Sequence, residues 1–265
     1  MRNRKLLIFL FALLFLFGTV SIYKRRYTDI KGVSTKIEKQ VAGIILPHHD
    51  VAASLLDTSY KKLAAQAKYS TIVIIGPNHF SPNSGFFTTT TTLFTDVKIS
   101  ESVNKLIQIV PDLHVSKDII QKDHAIMIHL PYIKENFPDA SIVPILVSPL
   151  TTLSETRKFS DSISSLFPKD TLYIASVDFS HDSTIEEGIR NNTETISAIQ
   201  KFDLKTLLSF TDKHLDSPNG ISLWLHVLRS KNITGWELWD STHSGYFLSD
   251  PRTRGTSYVA GVYYH

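Results

Sequence analysis

The sequence predicts an α/β protein, a three-layer α/β/α sandwich around a largely parallel sheet. Two observations predict it. Short β-branched apolar runs alternate with amphipathic stretches along most of the chain, and such alternation marks parallel strands whose connecting helices cover both faces of a sheet. The 265 residues are 42% apolar and 20% charged, a globular composition. After residue 40 there is no repeat and no second linker, so 41–265 reads as one domain.

Taken in order, Leu6 to Tyr23 carries no charge and is flanked by Arg2, Arg4 and Lys5 before it and Lys24, Arg25 and Arg26 after it. Its length is at the short end for a spanning helix. A cleaved secretory signal is the competing reading, but Gly18-Thr19-Val20-Ser21 is a poor cleavage site. The expectation is therefore a signal anchor over 1–26, with the domain outside the cytoplasmic membrane, and a polar tether over 27–40. Val41–Leu46, Thr71–Ile75, Ser141–Val147 and Thr171–Val177 are expected strands, being short and β-branched. Ala52–Ala67 and Leu153–Phe167 have apolar residues at helical spacing. Phe86–Phe94, with five consecutive Thr, suits a strand or hairpin. Glu186–Gln200, Asp203–Phe210 and Ile221–Arg229 supply later helices, and Ile233–Trp239 and Ser257–Tyr264 late strands.

Charge and composition exclude several functions. The net charge of +3 arises from the six basic residues of 1–26; without them, 22 basic face 25 acidic residues. The domain is thus mildly acidic, with no footprint for nucleic acid. The chain has no Cys, which rules out a disulfide scaffold, thiolate metal ligands and a cysteine nucleophile. Any metal must be held by His, Asp or Glu. No Gly-rich phosphate loop or nucleophile elbow occurs.

Three expected strands end in polar clusters: Pro47-His48-His49-Asp50, Gly76-Pro77-Asn78-His79 and Asp178-Phe179-Ser180-His181. Ligands bind at the carboxyl ends of strands in open α/β sheets, where loops splay apart. Several imidazoles at one sheet edge are what a mononuclear metal site needs. Ser180 and His181, adjacent on an extended chain, point different ways and do not form a triad. In a fourth cluster, His124 and His129 are five residues apart. On one helix their side chains would diverge by about 140°, so they would not chelate one ion together.

These clusters, with Asp123-His124, Leu130-Pro131-Tyr132 and Ser257-Tyr258-Val259-Ala260-Gly261, occur in the order and spacing of the Memo family, and residues 41–265 resemble it. Its prokaryotic members are called AmmeMemoRadiSam system protein B. The resemblance implies a fold similar to class III extradiol dioxygenases and a metal held by His48, His79 and a third ligand. That third position is a Cys in the family, four residues before a Pro that precedes a helix. Counting back from Pro218 gives His214. His181 would then serve as acid/base, with Asp178 orienting it or a ligand. His49, Asp50, Asn78, His124 and His129 are candidates for supporting the metal or facing substrate. Met127 replaces a family Glu, and His49-Asp50-Val51 replaces Ala-Gly-Tyr, so the wall facing substrate differs. The implied cofactor is one divalent ion, Fe(II) or Cu ahead of Zn, and the implied partner an unidentified small molecule. A metal-dependent redox enzyme, a non-catalytic metal binder and a zinc-dependent hydrolase all fit this pattern.

Overall fold

The computed structural model describes residues 40–93, 95–247 and 253–265. The expected anchor lies outside them, as does the expected tether apart from Gln40. Among the described residues no helix is long and apolar enough to cross a membrane. The expectation of a membrane-anchored domain is corrected on that finding.

Nine strands form one sheet among the described residues: β1 (Val41–Leu46), β2 (Thr71–Pro77), β3 (Phe87–Thr89), β4 (Lys98–Ile99), β5 (His114–Val115), β6 (Ser141–Val147), β7 (Thr171–Ser176), β8 (Gly235–His243) and β9 (Ser257–Tyr264). The order is β5-β3-β6-β2-β7-β1-β9-β8, with β4 also on β6. The central four, β6-β2-β7-β1, are parallel, while β9 is antiparallel to β1 and β8 to β9. The apolar runs are uninterrupted because both faces are covered, so successive residues enter opposite cores. Ala42, Ile45, Val73 and Ile75 pack into one core; Val41, Ile44, Ile72 and Ile74 pack into the other.

Helices divide between the faces. Into the second core pack α1 (Ala53–Ala64), α3 (Lys117–Lys122), α4 (His124–Met127) and α5 (His129–Asn136). Into the first pack α2 (Ser102–Ile109), α6 (Leu153–Ile163), α7 (Ile185–Gln200), α8 (Leu204–Leu208) and α9 (Pro218–Ser230). Capping sets several starts: Thr152–Glu155 and Thr184–Glu187 form capping boxes on α6 and α7, each satisfying two otherwise unpaired backbone amides. Ser217 caps α9, with Pro218 in its first turn. The Thr-rich run gives strand only over Phe87–Thr89, and Phe94 lies outside the described residues.

This topology builds the site. β1 and β2 flank β7, all three parallel, so their carboxyl ends lie side by side. The chain leaves β1 for α1 on one face and β7 for α7 on the other. That divergence opens a crevice at the sheet edge.

Candidate metal centre

His48 leaves β1 and is 2% exposed. Its backbone N–H donates to Asp178 Oδ1 (3.0 Å), and its Nδ1 lies 3.3 Å from Ser176 Oγ. The opposite ring nitrogen, Nε2, is therefore presented to the crevice. It stands 2.9 Å from Asp216 Oδ2 and 3.8 Å from Asp178 Oδ2. His79 leaves β2 and is fixed by one buried carboxylate: Asp123 accepts from its backbone N–H (2.9 Å) and pairs with its Nδ1 (2.8 Å). Asp123 also caps α4 through Ala125 N–H. The free His79 Nε2 faces Asp216 Oδ2 at 3.9 Å. A histidine whose far nitrogen donates to a carboxylate has its tautomer and ring orientation set for metal binding.

Asp216 reaches the crevice from the loop before α9. Its backbone N–H donates to the Asp178 carbonyl (3.1 Å), and Leu215 bridges Phe179. Farther along, the His181 N–H donates to the Asp212 carbonyl (2.7 Å) and Ser180 Oγ to that of Lys213 (2.7 Å). The two loops are thus stitched together, with their carboxylates facing one crevice.

Two groups of ligand atoms, His48/His79/His124 and His48/Asp178/Asp216, each lie within 4.8 Å of one another. The rings of His79 and His124 stack at 4.3 Å, and His48 lies 5.0 Å from each. The donor set fits a divalent cation. Both oxygens of Asp216, Oδ2 of Asp178 and Nε2 of His181 are buried without a hydrogen-bond partner among the described residues. Stranding such groups costs about 1–3 kcal/mol each, more when charged. The 2.9 Å approach of His48 Nε2 to Asp216 is not aligned as a hydrogen bond. It matches the roughly 3 Å between neighbouring ligands on an octahedral ion with bonds of about 2.1 Å.

Proton affinities divide along the same lines. Burial alone would lower His48, but Asp216 and Asp178 outweigh it and raise its pKa. His79 is likewise raised to about 9, burial being overcome by its bond to Asp123 and the nearby carboxylate of Asp216. Asp216 is held well below the usual carboxylate range, because His48 and His79 outweigh its burial. Asp178 is raised, by burial and by the charge of Asp216. His124 falls to about 4 through burial and the positive charge of His48 and His79.

Behind His48 runs a buried hydrogen-bond chain. Tyr60 Oη meets His129 Nδ1 (3.0 Å), His129 Nε2 meets Ser176 Oγ (3.0 Å), and Ser176 meets His48. His129 is fully buried and lowered to about 3 by that burial and by His48.

The remaining candidates fall differently. His49 is half-exposed at the rim, 3.1 Å from Tyr258 Oη and 3.6 Å from Asp178 Oδ2. Asp50 is exposed in a short 3-10 turn and joins neither ligand group. Asn78 is spent holding its own loop: its Nδ2 donates to Ser81 O and Ser84 Oγ, and its Oδ1 accepts from Ser81 N–H. The third-ligand expectation needs correction, because His214 stacks flat on Phe210 at 4.0 Å and pairs with exposed Glu194 at 3.1 Å. It belongs to neither converging group. Asp216, two residues on, brings Oδ2 to 2.9 Å from His48 Nε2 and 3.9 Å from His79 Nε2, and spacing from Pro218 alone missed it.

A family model described as Memo-like protein matches residues 24–262. The chain belongs to the Memo-like family. Relatives include a MEMO1 family protein of Caldivirga maquilingensis, 27% identical over 77% of each chain. Another, from Pyrobaculum arsenaticum, is 27% identical over 67% of this chain and 66% of its own. Among solved structures, the uncharacterized protein JW3007 of Escherichia coli K12 superposes with a TM-score of 0.56 over 83% of this chain and 99% of that one, at 12% identity. That likeness concerns the fold, which is the one the family resemblance implies. This member of the Memo-like family holds its candidate ligands as His and Asp.

Proposed function

We propose that this Memo-like protein is a mononuclear Fe(II) enzyme that couples O2 to a small organic substrate, with His48, His79 and Asp216 as ligands. One observation carries the reading: two imidazole Nε2 atoms and an unpartnered, buried carboxylate converge on one crevice. Two His and one carboxylate are the ligand set of non-haem Fe(II) oxygenases, which keep other positions open. When bound, ferrous iron supplies the electrons that O2 needs to react with a closed-shell molecule.

The chain supplies the rest. Asp123 and Ser176 fix His79 and His48 from behind, each through Nδ1. His181 Nε2, buried and unpartnered, is the base that accepts a proton from a substrate hydroxyl. Asp178, tied to the His48 backbone through Oδ1, keeps Oδ2 free to hold that hydroxyl or the proton. Burial of these groups excludes bulk water and strengthens each contact.

Protein purified without added metal and then loaded anaerobically with Fe(II) is expected to bind one equivalent and to consume O2 with members of a catechol and reductant panel. Stoichiometric iron without O2 uptake across the panel would leave metal storage as the function. His124 favours a second reading. It could bring a third imidazole to the ion, a set that suits Zn(II) and hydrolysis. Zinc in the protein as purified, with activation by Zn(II) alone, would select it.

A further inference from the structure

Beside the candidate ligands the crevice widens into a cavity of about 480 Å3, reached by His79 and Asp216 and walled by Val147, Pro149, Leu208 and Phe210. That volume suits a ring-sized molecule. The carboxylates lining it face no Lys or Arg. The amide of Asn78 is consumed by Ser81 and Ser84. The Asn219 NH2 donates to the carbonyls of Ser148 and Pro149, leaving its oxygen for the cavity. Ser217 Oγ accepts from Gly220 N–H, while its own O–H can still donate. Besides His79, the charged groups are the exposed Asp212 carboxylate and Asp216, and no Lys or Arg is among the lining residues. His79 is compensated by Asp123 and Asp216. Asp216, nine-tenths buried with both oxygens unpartnered, is committed to the candidate cation, which leaves Asp212 as the carboxylate that meets a cavity ligand.

We infer that this cavity selects a neutral or positively charged ring compound bearing hydrogen-bond donors and discriminates against carboxylated, phosphorylated or sulfated ones, with Asp212 as the specificity-determining residue. The inference rests on the reading of the crevice as a substrate-transforming metal site. An anionic substituent would meet the Asp212 carboxylate with no Lys or Arg to offset it, and it would give up hydration on entry.

Anaerobic calorimetry on the full chain loaded with Fe(II) tests this with three catechols of matched length: dopamine, 4-ethylcatechol and 3,4-dihydroxyphenylacetate. Dopamine and 4-ethylcatechol are expected to bind, with dihydroxyphenylacetate at least about fivefold weaker than dopamine. Asp212→Asn should bring that ratio close to one. Leu208→Trp, which fills the cavity, should weaken all three and leave iron content unchanged. Equal or tighter binding of dihydroxyphenylacetate, an unchanged ratio in Asp212→Asn, or no binding of any of the three overturns the inference. The two readings fail separately. If the chain takes up no iron yet the metal-free protein ranks the ligands in this order, the Fe(II) reading falls and the cavity assignment stands. Iron uptake with no charge preference does the reverse.

Discussion

The two sides of the His48 ring are built on opposite principles. Toward the crevice, His48 faces Asp178 and Asp216 and His79 faces Asp216, and these carboxylates, with Asp123 behind His79, raise the proton affinity of both imidazoles. Behind the ring, His129, Ser176 and Tyr60 form a buried chain without a carboxylate, and His129 is held neutral. The difference separates two tasks. The carboxylate side has unspent charge for a cation, whereas the neutral side has hydrogen bonds that hold the ring in place.

The sharpest way to break the carboxylate side is Asp216→Asn, which keeps the shape and removes the charge. Metal affinity is expected to fall by more than about 100-fold, beyond the 10–100-fold typical of supporting residues, as read by competition with a chelating dye. Retained affinity would mean that Asp178 or His124 is the third ligand instead.

On the neutral side, His129→Ala and Ser176→Ala should each weaken metal binding by about 10–100-fold, because His48 loses its orienting partner. Tyr60→Phe, one bond farther away, should cost less than either. Equal effects from all three would point to a general loss of packing, which circular dichroism and melting temperature would reveal.

The contrast also has a pH signature. His48 and His79 are raised, His79 to about 9, so in the metal-free protein their favourable contribution is complete below the unfolded value near 6.5. It is lost as pH rises toward about 9. The metal-free protein should therefore lose melting temperature across that window. Metal displaces these protons, so apparent affinity should rise with pH over the same range, with proton release measurable by calorimetry in buffers of different ionisation enthalpy. For His124, lowered to about 4, the sign is opposite. Its neutral form contributes fully above 6.5, and that contribution is lost as pH falls toward 4. A pH-independent affinity would show that the two histidines are neutral before metal arrives.

The smallest effect belongs to His214→Ala. It removes a ring stack on Phe210 and an ion pair with exposed Glu194, worth less than about 1 kcal/mol, and should leave metal affinity unchanged.

Strands β1, β6 and β9 begin and end where their apolar runs do, because an uninterrupted β-branched stretch can only be buried on both faces. The polar clusters after β1, β2 and β7 share one edge for the same topological reason, so His48, His79 and Asp178 could be anticipated from the sequence. Asp216 could not. It is delivered by a loop whose register is set by the Phe179–Leu215 bridge, a contact with no trace in local spacing. Counting from Pro218 reached His214, which joins neither converging group. For His124 and His129 the spacing argument held, since the two imidazoles do not share one ligand group, although a turn at Ile128 separates α4 from α5. His124 can then lie against His48 directly while His129 reaches it through Ser176.

The bridge between the Asp178 and Asp216 loops has a dynamic corollary. The amide proton of Asp216 is bonded to the Asp178 carbonyl, so it exchanges with solvent only when the two loops part, and their parting separates the two acids. Local openings of this kind cost less than global unfolding. A cation gripping both sides would slow that exchange without altering the exchange of amides in the central strands, making one backbone proton a gauge of how firmly the crevice is held shut.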